Sequence, residues 1–346
     1  MSIENKLTYL DGTKEAIKQA IIGKGVSVTE ADTFRSYATK IGEIQGGSGG
    51  DCPKYTLDLS DGFLGNFFGW PRVTYSIKDI ILPEDFSNIR TMSYCFADLY
   101  NITSITLPSS LSNVNNMEYC FKDCESLTSI TLPDLPNVTN MNACFRSCSS
   151  LTSIILPSSL PNVTNMNSCF SGCRSLTSIT LLDLPKVTNI SYCFADLYNI
   201  TSITLPSSLP NVTNIESCFK DCRTLMSITL PDLPKVTYMY TCFSSCRTLT
   251  SITLPDLPNV TNMYACFNDC TSLQNLVIGN INPNITTLTN WYISDCTMLT
   301  VESLVNIMNA LPTITSTKTC TIGTTNLSKL SPEQLSIGSS KGWTIN

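Results

Sequence analysis

The sequence predicts a repeat solenoid, mainly parallel β with short helical turns, and three observations predict it. The pair Cys-Phe returns at a nearly constant interval. Each interval carries one short alternating apolar segment, closed by proline in all but one. Charged residues make up only 14% of the 346 residues, against about a quarter in an ordinary globular chain. A fixed period of this length marks an array of stacked units rather than two or three separate cores.

Cys-Phe begins at Cys95, Cys120, Cys144, Cys169, Cys193, Cys218, Cys242 and Cys266, with spacings of 25, 24, 25, 24, 25, 24 and 24. A degenerate ninth unit follows, with Tyr292-Ile293 in the Cys-Phe place and Cys296 in register. Within Leu127–Leu132, Ile130 and Leu132 point one way and Ser129 and Thr131 the other, which is strand alternation. The β-branched Ile and Thr suit a pleated surface. Pro133 ends the strand because it cannot donate to a ladder. Val138 and Met141 predict an inward return on the far side of the coil, and Cys144, Phe145 and Cys148 supply the next inward set through a short helical turn. Longer units carry Pro-Ser-Ser-Leu after the strand (Pro108, Pro157, Pro206). Shorter ones carry Asp-Leu-Pro after Pro133, Leu182, Pro231 and Pro255, so one loop residue accounts for 25 against 24. Ser93–Leu111 recurs unchanged as Ser191–Leu209, the mark of a duplicated four-unit block.

The flanks differ from the array, which spans 91–300. Residues 1–45 read as a small α-helical module. Thr13 to about Ile22 has apolar Ala16, Ile17, Ala20 and Ile21 with Gly23 as a stop. Thr29 and Asp32 open a second helix to about Ile44. Residues 46–50, Gly-Gly-Ser-Gly-Gly, form a flexible linker, a composition shared by natural linkers and engineered scars. Residues 51–90, with Phe63, Phe67, Phe68 and Trp70, are expected to cap the first coil. Residues 301–346 are expected to cap the last, with a helix over Glu302–Leu311, a strand at Thr319–Ile322 and the tail Gly342–Ile345. Solenoids need such caps to shield their terminal coils.

Composition narrows the function classes. The formal net charge is −6, so there is no basic footprint for nucleic acid. There is no histidine, which removes the commonest general base and metal ligand. The start, MSIENKLTYLDGTKEAIKQAII, has no apolar core of signal-peptide length, and no run approaches a membrane span. The expectation is a protein that is not an enzyme, uses no cofactor or metal and does not insert in a membrane.

The repeat residues resemble the BspA-like leucine-rich repeats of microbial surface proteins. The matching segments are Asn-Val-Thr-Asn-Met (Asn137–Met141, Asn162–Met166, Asn259–Met263), the Phe-x-x-Cys turn, Ser126–Pro133 and the Lys341-Gly-Trp-Thr ending, over about residues 77–346. The resemblance implies adhesion and contact with proteins or glycans, without catalysis. Cellular members of the family usually carry a signal peptide and a wall anchor, which this sequence does not show. Lys6-Leu-Thr-Tyr-Leu, Thr13-Lys-Glu-Ala-Ile-Lys, Ile22-Gly-Lys-Gly-Val and Asp32–Ile41 are similar to short modules that begin tail or head fibre proteins of phages of gut bacteria. That likeness implies a virion protein made in the host cytoplasm. It would attach to a structural protein of the particle through Tyr9, Ile17, Ile21, Phe34, Tyr37 and Ile41. It also implies a homo-oligomer, the habit of fibres.

Several positions could carry chemistry. The 17 cysteines could be zinc sites or disulfides, but Leu99 and Leu197 replace the second cysteine of the turn in two units. That exchange favours a buried apolar ladder. Asp98, Asp123, Asp196, Asp221, Asp269 and Asp295 could form a calcium row, but Ser147, Gly172 and Ser245 share their place and point to turn chemistry. The Ser and Thr rows of the strands are a solvated sheet face, with glycan contact or ice binding as sharper readings. Sequons such as Asn137-Val-Thr139 follow from the repeat itself. The ligand candidates are residues that vary between copies. Tyr94, Tyr119 and Tyr192 stand just before Cys-Phe, Tyr240 and Tyr264 one residue earlier, and Arg174, Arg223 and Arg247 after the second cysteine. Tyrosine and arginine dominate recognition surfaces. The expected function is a phage fibre or decoration protein that binds a bacterial surface glycan or protein. The alternative is a bacterial surface adhesin or antigen.

Overall fold

The computed structural model describes residues 18, 55–56, 80–82, 86–281, 290–316 and 318–346. The expected N-terminal helices, the linker and the aromatic cap residues lie outside these, apart from Lys18, which has helical backbone. The first strands, β1 (Tyr55–Thr56) and β2 (Ile80–Ile81), pair in parallel. The array supplies β3 (Ser129–Thr131), β4 (Ser153–Ile155), β5 (Ser178–Thr180), β6 (Ser202–Thr204), β7 (Ser227–Thr229), β8 (Ser251–Leu254) and β9 (Asn275–Ile278). All of their pairings are parallel and in register by homologous residue, as in Ser129↔Ser153 and Ser227↔Ser251. The alternation read from sequence holds: Ile130 and Leu132 are buried, Ser129 and Thr131 exposed.

The strand ladder breaks into β3-β4, β5-β6 and β7-β8-β9. Both breaks fall where consecutive strands are 25 residues apart, at β4 to β5 and β6 to β7, whereas the paired strands are 24 apart. The extra loop residue of the long unit thus weakens the main ladder, which keeps a single bridge at the other 25-residue spacing, Ser104↔Ser129. On the far side of each coil a second parallel ladder runs through Asn116, Asn140, Asn165, Asn189, Asn214, Tyr238 and Asn262 without a break. The asparagine side chains accept from the N–H two residues on, as Asn140 does from Asn142 at 2.9 Å, the local turn for which asparagine is suited.

The segment from Met141 to Cys148 corrects one expectation. It is not a helical turn but a run of tight turns in which donors alternate. Cys144, Arg146 and Cys148 N–H groups bond three residues back, to Met141, Ala143 and Phe145. Those of Ala143, Phe145 and Ser147 bond to Asn167, Cys169 and Ser171 of the next coil at 2.7–2.8 Å. Ala143 and Ser147 take positive φ, 50° and 61°, as do their counterparts in the other coils. The backbone therefore satisfies its donors half within the coil and half between coils, which a helix could not do.

The core is built in columns. Phe96, Phe121, Phe145, Phe170, Phe194, Phe219, Phe243 and Phe267 stack with centroids 5.0–5.9 Å apart and planes within 15°. Beside them the second cysteine of each turn donates its thiol to the phenylalanine carbonyl of the preceding coil: Cys124 to Phe96, Cys148 to Phe121 and Cys246 to Phe219, each at 3.1 Å. The sixteen described cysteines are free and buried. Burial pushes the Cys266 and Cys320 thiols up to about 12. The cysteines are apolar ladder residues with one weak donor each.

At the far end β10 (Trp291–Tyr292) joins β11 (Lys318–Thr321) and β12 (Trp343–Ile345) in a second parallel sheet. Three helices close the fold: α1 (Val301–Ala310), α2 (Thr324–Leu327) and α3 (Pro332–Ser339). Helix α1 covers the open edge of β9. Ser303 Oγ accepts from Leu276 N–H at 3.0 Å, and Asn306 Oδ1 accepts from Ile278 N–H at 2.8 Å. The edge donors are thus satisfied by two side chains one turn apart.

Candidate functional site

The outward surface of the turn segment carries the variable residues in adjacent rows. The first row is the residue before Cys-Phe, and there Tyr94, Tyr119 and Tyr192 have φ of 57°, 53° and 55°. The next positive-φ row holds Asp98, Asp123, Ser147, Gly172, Asp196, Asp221, Ser245 and Asp269. These acidic positions are turn residues, as their exchange with serine and glycine suggested. Among the described residues, no group of three or more Cys, Asp or Glu side chains is placed to hold a metal ion. No described helix is long and apolar enough to cross a membrane.

The five candidate tyrosines fall in three places. Tyr94 and Tyr119 stack at 4.6 Å near the start of the array. Burial in that pair, then Tyr119 and Glu118, raise the Tyr94 phenol above its usual range. Tyr192 stands apart, its hydroxyl donating to Glu216 Oε1 at 3.1 Å. Tyr240 and Tyr264 stack at 6.0 Å with planes 9° apart, flanked by Tyr238 at 41° and Tyr292 at 33°. Residues Tyr238, Tyr240, Asn262, Tyr264, Asn290 and Lys318 line an open depression of about 370 Å³.

The arginines form a third row with a member the sequence reading passed over. Tyr198 follows Leu197 as Arg174, Arg223 and Arg247 follow their cysteines, and it lies between two of them. The Arg174 and Arg223 guanidinium carbons are 5.2 and 4.3 Å from its ring centroid, within cation–π range. Arg223 pairs with Asp221 at 2.8 Å and Arg247 with Asp269 at 2.7 Å. Near them, burial and then Asp221 raise the Asp196 carboxyl. At the other end Lys122 bridges Asp98 and Asp123.

Tyr238 and Tyr292 were also missed. Tyr238 had a signal, since it breaks the asparagine row of Asn214 and Asn262. Tyr292 was assigned to the buried Cys place. Instead Trp291 is buried and Tyr292 half-buried, because β10 pairs with β11 rather than continuing the turn column. Cys296 keeps its register, donating to Phe267 O at 3.1 Å. The strand's outer Ser and Thr rows are exposed as expected, interrupted by exposed Ile155, Met226 and Val277. The attachment residues Tyr9, Ile17, Ile21, Phe34, Tyr37 and Ile41 lie outside the described residues.

Comparison with known proteins places this architecture. The family model described as "BspA type Leucine rich repeat region (6 copies)" matches residues 72–191 and 188–318. No curated protein matches the chain. Among solved structures, the chain is similar to a leucine-rich repeat protein from Bacteroides ovatus, with 20% identity over 70% of this chain and 67% of that one and a TM-score of 0.39. It is also similar to a leucine-rich repeat protein of T. pallidum, with 27% identity over 50% of this chain and 78% of that one and a TM-score of 0.39. With the family model covering most of the coils whose columns and ladders are described above, the chain belongs to the BspA-type leucine-rich-repeat family.

Proposed function

We propose that this chain is a non-catalytic fibre or decoration protein of a phage virion, held to the particle by its N-terminal module, and that its solenoid binds a bacterial surface glycan or protein. The observation that carries the binding half is the set of exposed tyrosine and arginine rows on a backbone fixed by inter-coil hydrogen bonds. A surface already ordered before contact loses little conformational freedom on binding. Repetition of weak sites along one rod, multiplied by copies on a particle, raises avidity without new contacts. The virion half is supported by the likeness of residues 6–41 to phage fibre modules. A bacterial surface adhesin is the second reading, favoured by membership of the BspA-type family.

Cryo-electron microscopy of particles from a phage encoding the chain tests the proposal. The expected result is density for residues 1–45 in a virion socket with the solenoid projecting outward, which would also give the copy number. Particles without the chain, and the protein found on bacterial cells instead, would sink the virion reading in favour of the adhesin.

A further inference from the structure

The reading of the solenoid as a receptor-binding rod leaves the ligand class open, and one patch narrows it. The depression beside Tyr240 and Tyr264 is lined by tyrosine rings, two amides and one ammonium, with no carboxylate. That is unusual in a chain with 27 acidic and 21 basic residues. Tyr238 and Tyr264 are 37% and 43% exposed.

The patch is held in shape from behind. The carbonyls of Tyr238, Tyr240 and Tyr264 accept from Ile215, Ser217 and Thr241 N–H of the preceding coil at 3.0, 2.9 and 3.1 Å. The rings therefore sit on backbone that binding need not order. Asn290 Oδ1 accepts from Thr319 N–H at 3.1 Å, so the acceptor end of that exposed amide is taken and its donor end is left. Asn262 Oδ1 accepts from Tyr264 N–H at 3.0 Å, which fixes that side chain against the tyrosine backbone. Lys318, fixed in β11 opposite Trp343, has no acidic partner within ion-pair distance among the described residues.

We propose that this patch binds an acidic saccharide: the sugar's C–H faces lie against the tyrosines, and its carboxylate or phosphate meets Lys318 and Asn290. The proposal rests on the receptor-binding reading and deepens it. Phenol, amide and ammonium donors gathered without an opposing acid select an anion. The aromatic rings supply flat apolar area with polar tips, which a bare inorganic anion would not use. The volume suits a ligand of one or a few sugar units.

The test is an array of uronate-, sialate-, phosphate- and pyruvate-bearing oligosaccharides, their neutral counterparts and poly-glutamate, probed with the full chain and followed by a whole-cell adhesion assay. Retention on acidic saccharides is expected. Tyr264→Ala should weaken it about tenfold or more. Lys318→Gln should remove the preference for acidic over neutral forms. Ile155→Ser, on β4, should leave binding unchanged, and each variant is checked for an unaltered melting midpoint. Binding only to neutral sugars or to poly-glutamate, or acidic binding untouched by both site variants, overturns the proposal. Adhesion to cells with no glycan binding overturns it too, and leaves the receptor reading standing. Acidic-glycan binding through these residues without adhesion to any bacterium supports the site and overturns the receptor reading.

Discussion

Fifteen non-glycine residues among those described hold positive φ, a conformation that costs an L-residue about 1–2 kcal/mol. The turn enforces it, because alternating intra-coil and inter-coil donors cannot be met otherwise. Half of this was legible. Asp, Ser and Gly sharing one position announce a left-handed turn, since these residues tolerate it. Tyr94, Tyr119 and Tyr192 announced nothing, because tyrosine has no local reason to choose that region and is held there by the ladder. Asp196 offers a test at this scale. Burial, then the Asp221 charge, raise its carboxyl in the folded state. An acid raised on folding contributes stability fully present below its unfolded value and lost as pH rises through the folded one. Asp196→Asn mimics the protonated form and suits the φ of 59°. It should therefore raise the melting midpoint at neutral pH, with the gain fading as the pH falls through the carboxylate range. Melting curves at pH of about 7 and 3 check this; a lower midpoint at neutral pH refutes it.

At the scale of elements, alternation and proline gave the array strands, and the helix expected over Glu302–Leu311 is α1. The short α3 was overlooked although Ser331, Pro332 and Gln334 spell a capping box with proline in the first turn. The exchange of Trp291 and Tyr292 was not legible, since only the pairing of β10 with β11 sets which residue faces inward. The role of α1 was not legible either. A sequence shows a helix but not that Ser303 and Asn306 face the donors of β9. That role predicts the effect of Ser303→Ala. Leu276 N–H loses its acceptor, while Gln274 O loses one of two donors and keeps Thr300 N–H, at a cost of about 1–3 kcal/mol. Native-state hydrogen exchange should show Leu276 opening sooner while Ile130, in β3, stays as protected as before. Equal acceleration at both would mean that α1 is not a local edge cap.

At the scale of the molecule, the period alone disclosed the architecture, because a unit that cannot bury its own Cys and Phe must stack. What the period could not disclose is where the stack is weakest. Coils touch only their neighbours, so stability is nearly a sum of unit and interface terms, and the phenylalanine column measures the interfaces one by one. Its widest separations flank Phe170, 5.7 Å to Phe145 and 5.9 Å to Phe194, against 5.0 Å for Phe219 to Phe243. One of the two breaks in the strand ladder, between β4 and β5, falls beside it. Phe170→Ala should therefore cost about 3–5 kcal/mol and uncouple the array there. Denaturant unfolding of the full chain should separate into two steps. The block after β5, closed by α1 and the sheet of β10, β11 and β12, should unfold second, because its last coil is shielded. Phe243→Ala, inside the tighter segment, should lower stability by a similar amount without dividing the transition at the same point. A single sharp transition in Phe170→Ala would mean that the unbroken asparagine ladder on the far side couples the coils more strongly than the phenylalanine column does.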